Sequence, residues 1–232
     1  MRNLITIILG LLIISCAKEK QYDLTVKGTI KNLKKGTIYL QKIKDSTLVN
    51  VDSMVINGQK EFLLHSNLDS PEVFYLHLNK TNEDSQRKIP FFADKGITEI
   101  NTTLNDFALN AEINGSPQHK KLEEFLKMME RFNDKNLDLI KKDFDANALN
   151  DSLLIKENQT AFENLVKSKY LYTVNFAVTN NDSEVAPYVA LTEIYDAQIK
   201  WLDTINNALT PKIKASKYGR ELASYISERK RK

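Results

Sequence analysis

The chain has 232 residues, 42% of them hydrophobic and 27% charged, with a formal net charge of +3, none of it extreme for a folded, soluble body. The near-balance of charge argues against a nucleic-acid binder, which concentrates basic residues on one face. A single cysteine, Cys16, leaves no second thiol for thiol–disulfide exchange.

The first predicted element is an export signal over residues 1–15. Arg2 supplies the positive start, and Leu4 to Ile14 are apolar apart from Thr6 and Gly10. That run is shorter than the ~20 residues a bilayer-spanning helix needs, so the segment is expected to be cleaved. Ile13, Ile14 and Ser15 before Cys16 resemble the lipobox of bacterial lipoproteins. That resemblance implies that the Cys16 thiol is diacylated and that the signal is cut just before it. It also implies that residues 16–21 form a lipidated N-terminus and linker, because two acyl chains suffice for stable membrane attachment. Ala17, where inner-membrane lipoproteins carry aspartate, implies the outer membrane. Lys18-Glu19-Lys20 leaves open whether the protein faces the periplasm or the outside.

From residue 22 to 115 the hydrophobic period is two. In DLTVKGTIKNL, Leu24, Val26 and Ile30 alternate with polar residues, and TIYLQKI after Gly36 predicts a hairpin partner. NVDSMVIN and KEFLLHS flank Asn57-Gly58, which predicts a second hairpin with a type I′ turn. EVFYLHL follows, then KIPFFAD and GITEINTTL around Asp94-Lys95-Gly96, and finally FALNAEI. Pro90 predicts an edge or bulged strand. About eight short strands predict an antiparallel β-sandwich or partly open barrel.

Residues 116–232 read as a helical subdomain packed on the β domain, so the fold class is α+β. Ser116-Pro117 predicts a helix start, with Leu122, Phe125, Leu126, Met129 and Phe132 as its apolar stripe. A second long helix carries Phe162, Val166, Tyr170 and Val174 at spacing four. Ser183 predicts the cap of a third, with Pro187 in its first turn. Trp201, Leu202, Ile205 and Leu209 continue the packing, Thr210-Pro211 restarts the chain, and Leu222, Tyr225 and Ile226 line the last helix.

The segments LTVKGTIKNLKKGTIYL, GQKEFLL, PEVFYLHL, KIPFFADKG and AEINGS, with NNDSEVAPYVAL and IKASKYGREL in the helices, resemble an uncharacterised domain. It is the β-rich domain (domain of unknown function family 4369) at the N-terminus of TlpA-like thiol:disulfide oxidoreductase lipoproteins. In those relatives a thioredoxin-like domain with Cys-x-x-Cys follows the stretch matching GRELASYISERKRK. Here the sequence ends at Lys232 and the only sulfur available as a thiol is expected to carry lipid. The resemblance therefore supplies a fold without the redox activity.

No other chemistry is signalled strongly. His65, His77 and His119 lack metal-ligand spacing, and no phosphate loop or nucleophile elbow is present. Glu123-Glu124 and the Asp143, Asp145 pair sit at spacings that do not share a helix face and read as solvated. The aromatics Tyr170, Tyr172, Tyr188, Tyr195, Trp201, Tyr218 and Tyr225 read as packing between helices and sheet before they read as a binding groove. Glu228-Arg229-Lys230-Arg231-Lys232 reads as a helix end whose cations oppose the dipole. Asp45-Ser46-Thr47, Asp52-Ser53-Met54, Asp151-Ser152-Leu153 and Asp203-Thr204-Ile205 look like O-glycosylation triplets.

These readings imply a non-catalytic envelope lipoprotein, anchored in the outer membrane through Cys16, that works as a binding or scaffold module. No cofactor, metal or nucleic acid is called for, and the partner class implied is an envelope protein, with a thiol-redox protein as the natural example. Two alternatives stand beside this: a truncated or split oxidoreductase lacking its catalytic domain, and a small-ligand or glycan binder using a cleft between sheet and helices.

Overall fold

The computed structural model describes residues 21–79 and 87–231. The signal, Cys16 and its lipobox residues Ile13, Ile14 and Ser15 lie outside them. Eight strands come first, β1 (Leu24–Lys31), β2 (Lys35–Lys44), β3 (Thr47–Asn57), β4 (Glu61–Ser66), β5 (Glu72–Asn79), β6 (Lys88–Ala93), β7 (Gly96–Thr103) and β8 (Glu112–Asn114). Helices α1 (Pro117–Ala148), α2 (Ser152–Thr179), α3 (Val185–Glu193), α4 (Ile199–Ala208), α5 (Pro211–Lys214) and α6 (Lys217–Arg231) follow. The α+β order matches the expectation.

The strands form two four-stranded sheets, β4-β1-β7-β8 and β3-β2-β5-β6. The expected β1/β2 and β3/β4 hairpins do not form. In both cases the chain crosses from one sheet to the other, as it does again between β6 and β7. The hairpin at this end of the second sheet is β2/β3, closed between Lys44 and Thr47. Its turn residues Asp45 and Ser46 have φ of 49° and 65°, the two left-handed positions of a type I′ turn. Asn57-Gly58 has the right composition for such a turn, but β3 leaves its sheet there. A register shift opposite Leu40 and Gln41 bends the strand, and the Asp52 carboxylate accepts a hydrogen bond from the His65 amide of β4 at 2.8 Å.

The sandwich is not wholly antiparallel either, because β1 and β7 pair in parallel. Gly28 lies opposite Ile100 in that pairing, and a Cβ there would sit 1.7 Å from the Ile100 carbonyl oxygen. FALNAEI is mostly a turn. Phe107 is buried, its carbonyl accepting from the Thr102 hydroxyl at 2.7 Å, while Leu109 is 86% exposed and only Glu112–Asn114 extends a sheet. Pro90 does lie on an edge strand, β6.

One face of the second sheet, through Ile38, Leu40, Phe74, Leu76 and Phe91, meets Leu24, Val26, Leu64 and Ile100 of the first. Its other face turns Val73 and Phe92 toward the helices, so β5 and β6 are covered on both sides. Ser116 caps α1 by accepting from the His119 amide, with Pro117 in the first turn. Asp151 caps α2 and Thr210 caps α5. Ser183 does not cap α3, whose N-cap is Glu184. Its hydroxyl instead bonds Gln118 of α1 and accepts from the Val185 amide.

Gly28→Ala is expected to lower unfolding free energy by about 3 kcal/mol or more, because the methyl group and the Ile100 carbonyl cannot both keep their places. Urea denaturation measures it, and wild-type stability in this variant would refute the close parallel packing of β1 on β7.

Candidate functional site

The helical part meets the sheet at a seam built from β5, β6, α1, α3 and α6. Phe92 stands edge-on to Tyr188, with ring centres 5.5 Å apart, and Tyr188 and Tyr218 are 5.1 Å apart. The Tyr218 hydroxyl accepts the amide hydrogen of Val73 at 3.0 Å, which ties α6 to β5 and satisfies a buried backbone donor. Burial pushes the Tyr218 phenol far up and that of Tyr188 up to about 12. Both therefore stay neutral, as packing residues.

Glu72 was not singled out by any sequence pattern, yet it is buried and accepts from Lys42 at 2.8 Å and from Lys217 at 2.6 Å. Its partners lie 30 and 145 residues away in sequence, so no local spacing announced it. Glu184 is a second buried carboxylate, and burial raises its pKa against the lowering pull of Lys212.

The three histidines do not converge. His65 stacks on Tyr22, His77 stacks on Tyr39, and His119 sits in the seam. His119 Nδ1 accepts from the Phe92 amide at 3.2 Å, so the neutral ring carries its proton on Nε2. Desolvation holds its pKa down, against the opposing influence of Glu123. Among the described residues no group of three or more His, Cys, Asp or Glu is placed to hold a metal. The aspartates of the four triplets have structural work. Asp45 forms the β2/β3 turn, Asp52 bridges to β4, Asp151 caps α2 and Asp203 pairs with Lys230 at 2.8 Å.

Two concavities adjoin these elements. The cleft between sheet and helices, lined by Val73, Pro90, Phe91, His119, Phe125 and Tyr188 among others, holds about 230 Å³. This is below the ~300–1,000 Å³ usual for small-molecule sites. A larger groove of about 650 Å³ runs between α2 and α4, lined by Phe162, Val166, Tyr170 and Trp201 together with Glu163, Lys167 and Lys200. The Tyr170 hydroxyl donates to Asp196 at 2.9 Å, and Lys200 lies 5.1 Å from the centre of the Trp201 ring. The aromatic set thus divides. Tyr172, Tyr188 and Tyr218 pack, and Tyr170 and Trp201 both pack against the same core and line the groove.

The basic C-terminus does more than oppose a dipole. Arg229 donates to the carbonyls of Tyr195 and Ala197 at 2.7 and 2.8 Å, and Tyr225 donates to that of Tyr195 at 2.8 Å, pinning the turn between α3 and α4.

Tyr218→Phe is expected to cost about 1–3 kcal/mol in urea denaturation, because the buried Val73 amide loses the hydroxyl that accepts from it. For Glu184, a folded pKa raised above the unfolded one means that the carboxylate destabilises the fold above the folded pKa, and the penalty fades as pH falls through it. Glu184→Gln is therefore expected to raise the melting temperature at pH 8 and to leave it little changed at pH 4. An equal effect at both pH values would rule that linkage out.

No curated protein matches the chain. The resemblance drawn from the strands does have a counterpart, although the helical segments lie beyond it. Residues 24–122 match the model of a family described as a domain of unknown function, DUF4369, a stretch that holds the eight described strands and the opening of α1.

Proposed function

We propose that this is a non-catalytic lipoprotein of the cell envelope, held at the outer membrane by lipid on Cys16, whose helical part is a binding or scaffold module for an envelope protein. The observation that carries the binding half is the groove between α2 and α4. Phe162, Val166, Tyr170 and Trp201 line it beside the exposed Glu163, Lys167 and Lys200, a mixture of aromatic, apolar and charged side chains of the kind found at protein-recognition surfaces. The anchor half rests on the sequence alone, on the apolar run Leu4 to Ile14 and the overlapping Ile13-Ile14-Ser15-Cys16 that resembles a lipobox. No described helix is long and apolar enough to cross a membrane. A separately encoded thiol-redox protein is the partner that the family resemblance implies.

The groove's volume also suits a glycan or small ligand, with Trp201 and Tyr170 as stacking surfaces. Such a ligand at 100 times its Kd would stabilise the protein by roughly 2.7 kcal/mol, visible as a thermal shift that Trp201→Ala abolishes.

Membrane fractionation and intact mass of the native protein test the anchor. The wild type is expected to be acylated and membrane-bound and Cys16→Ser to be released, and a free Cys16 thiol in the mature protein would refute it. A photo-crosslinking residue in place of Val166 tests the groove. Reproducible capture of one envelope protein, lost on adding Trp201→Ala, is the expected result.

A further inference from the structure

The two ends of the β-sandwich differ in how their charges are paired. At the end where β1 begins, Lys95 pairs with Asp23 at 3.0 Å and Lys42 with Glu72 at 2.8 Å. At the opposite end β1 passes into β2 through residues 32–34 and β3 into β4 through residues 58–60. Here Lys31, Lys34 and Lys60 are exposed, and among the described residues none of them has an ion-pair partner or a side-chain hydrogen bond. Single unpaired lysines are ordinary, but these line one concavity of about 540 Å³ over Ile30 and Leu33, with no carboxylate among its described lining residues. The loops that carry them are tied together. The Gly58 amide donates to the Lys34 carbonyl at 2.9 Å and the Leu33 amide to the Ile30 carbonyl at 3.2 Å, and Leu33 is buried. A cleft lined by charges of one sign focuses the field and concentrates counter-ions.

Size and neutral lining indicate the class of anion. The concavity falls within the ~300–1,000 Å³ usual for small-molecule sites, which leaves room for more than an ionic group. Asn32 and Gln59 stand beside the lysines, and their amides can both donate and accept. The Gln59 Oε1 already accepts from the Asn57 amide, which leaves its Nε2 to donate. Thr29 and Lys31 also line a second concavity of about 420 Å³, with Asn101, Thr103 and Asn110 and with Glu112 as the carboxylate of its lining. A ligand reaching across both therefore places its charge among the lysines and its neutral, hydroxyl-bearing part toward the amides, away from Glu112. Ammonium groups act as point charges for carboxylate or phosphate. A membrane surface fits this end less well, since Lys31 lies a full strand, roughly 23 Å at ~3.3 Å per residue, from Leu24, where the chain enters the domain from Cys16.

We propose that this end of the β domain binds an acidic sugar, with Lys31, Lys34 and Lys60 taking its carboxylate or phosphate and Asn32, Gln59 and Asn110 its hydroxyls. The site is separate from the groove between α2 and α4 and depends neither on that groove nor on the anchor.

Isothermal titration of the full chain in neutral detergent tests it with trigalacturonic acid, glucose 1-phosphate and the uncharged maltotriose. At least one of the two acidic sugars is expected to bind with a Kd of about 1 mM or tighter, which tells carboxylate from phosphate, and maltotriose at least tenfold more weakly. The triple variant Lys31→Gln, Lys34→Gln, Lys60→Gln is expected to lose at least tenfold in affinity with circular dichroism unchanged. A second triple variant, Lys120→Gln, Lys127→Gln, Lys141→Gln, removes the same charge from exposed positions of α1 and is expected to keep wild-type affinity. The proposal is overturned if neither acidic sugar binds, if maltotriose binds as tightly, or if the two triple variants lose affinity alike. Vesicles of anionic phospholipid that bind through the three lysines when neither sugar does would equally overturn it.

Discussion

The covering of β5 and β6 on both faces is the constraint from which the rest of the architecture follows. Their inner side chains Phe74, Leu76 and Phe91 complete the sandwich, and their outer ones, Val73 and Phe92, form the floor on which the helices sit. A sheet with apolar residues on both faces must find cover for each. Here the second cover is the helical part of the same chain. The hydrophobic contact is non-directional, and the polar contacts fix its orientation: Tyr218 on the Val73 amide, His119 on the Phe92 amide, and Glu72 between Lys42 and Lys217.

Anchoring the helices by their bases has a consequence for the remainder of α1 and α2. A helix that packs on sheet and neighbours in its first turns, then runs on with a single companion, must leave one of its faces to solvent. The row from Leu126 to Phe144 and the groove over Phe162, Val166, Tyr170 and Trp201 are the apolar surfaces so exposed. The β domain contributes the platform, its edges blunted by Pro90 on β6 and by the Asp52 bridge to β4.

The period-two and helical-period patterns located nearly all the elements, and the caps at Ser116, Asp151 and Thr210 follow local rules of side-chain hydrogen bonding. Strand partners were not legible. Asn57-Gly58 and the Gly36 region read as hairpin turns because turn chemistry is local, whereas the choice to cross between sheets depends on which face of a distant strand is free. The true I′ turn, Asp45-Ser46, was visible only as a short polar triplet. Of the candidate site, the aromatics were seen as a set, but whether Trp201 packs or faces a groove depends on how α4 lies against α2.

By itself the sequence determined the order of strands and helices, the capped start of α1 at Ser116-Pro117 and the single cysteine, because each depends on residues close together in the chain. Only the tertiary structure decided that β1 lies parallel to β7, that Glu72 joins two lysines, that Val73 looks outward to Tyr218, and that Leu137, Ile140 and Phe144 of α1 are exposed. Each of these is a meeting of residues far apart in sequence, governed by packing and by the pairing of buried polar groups.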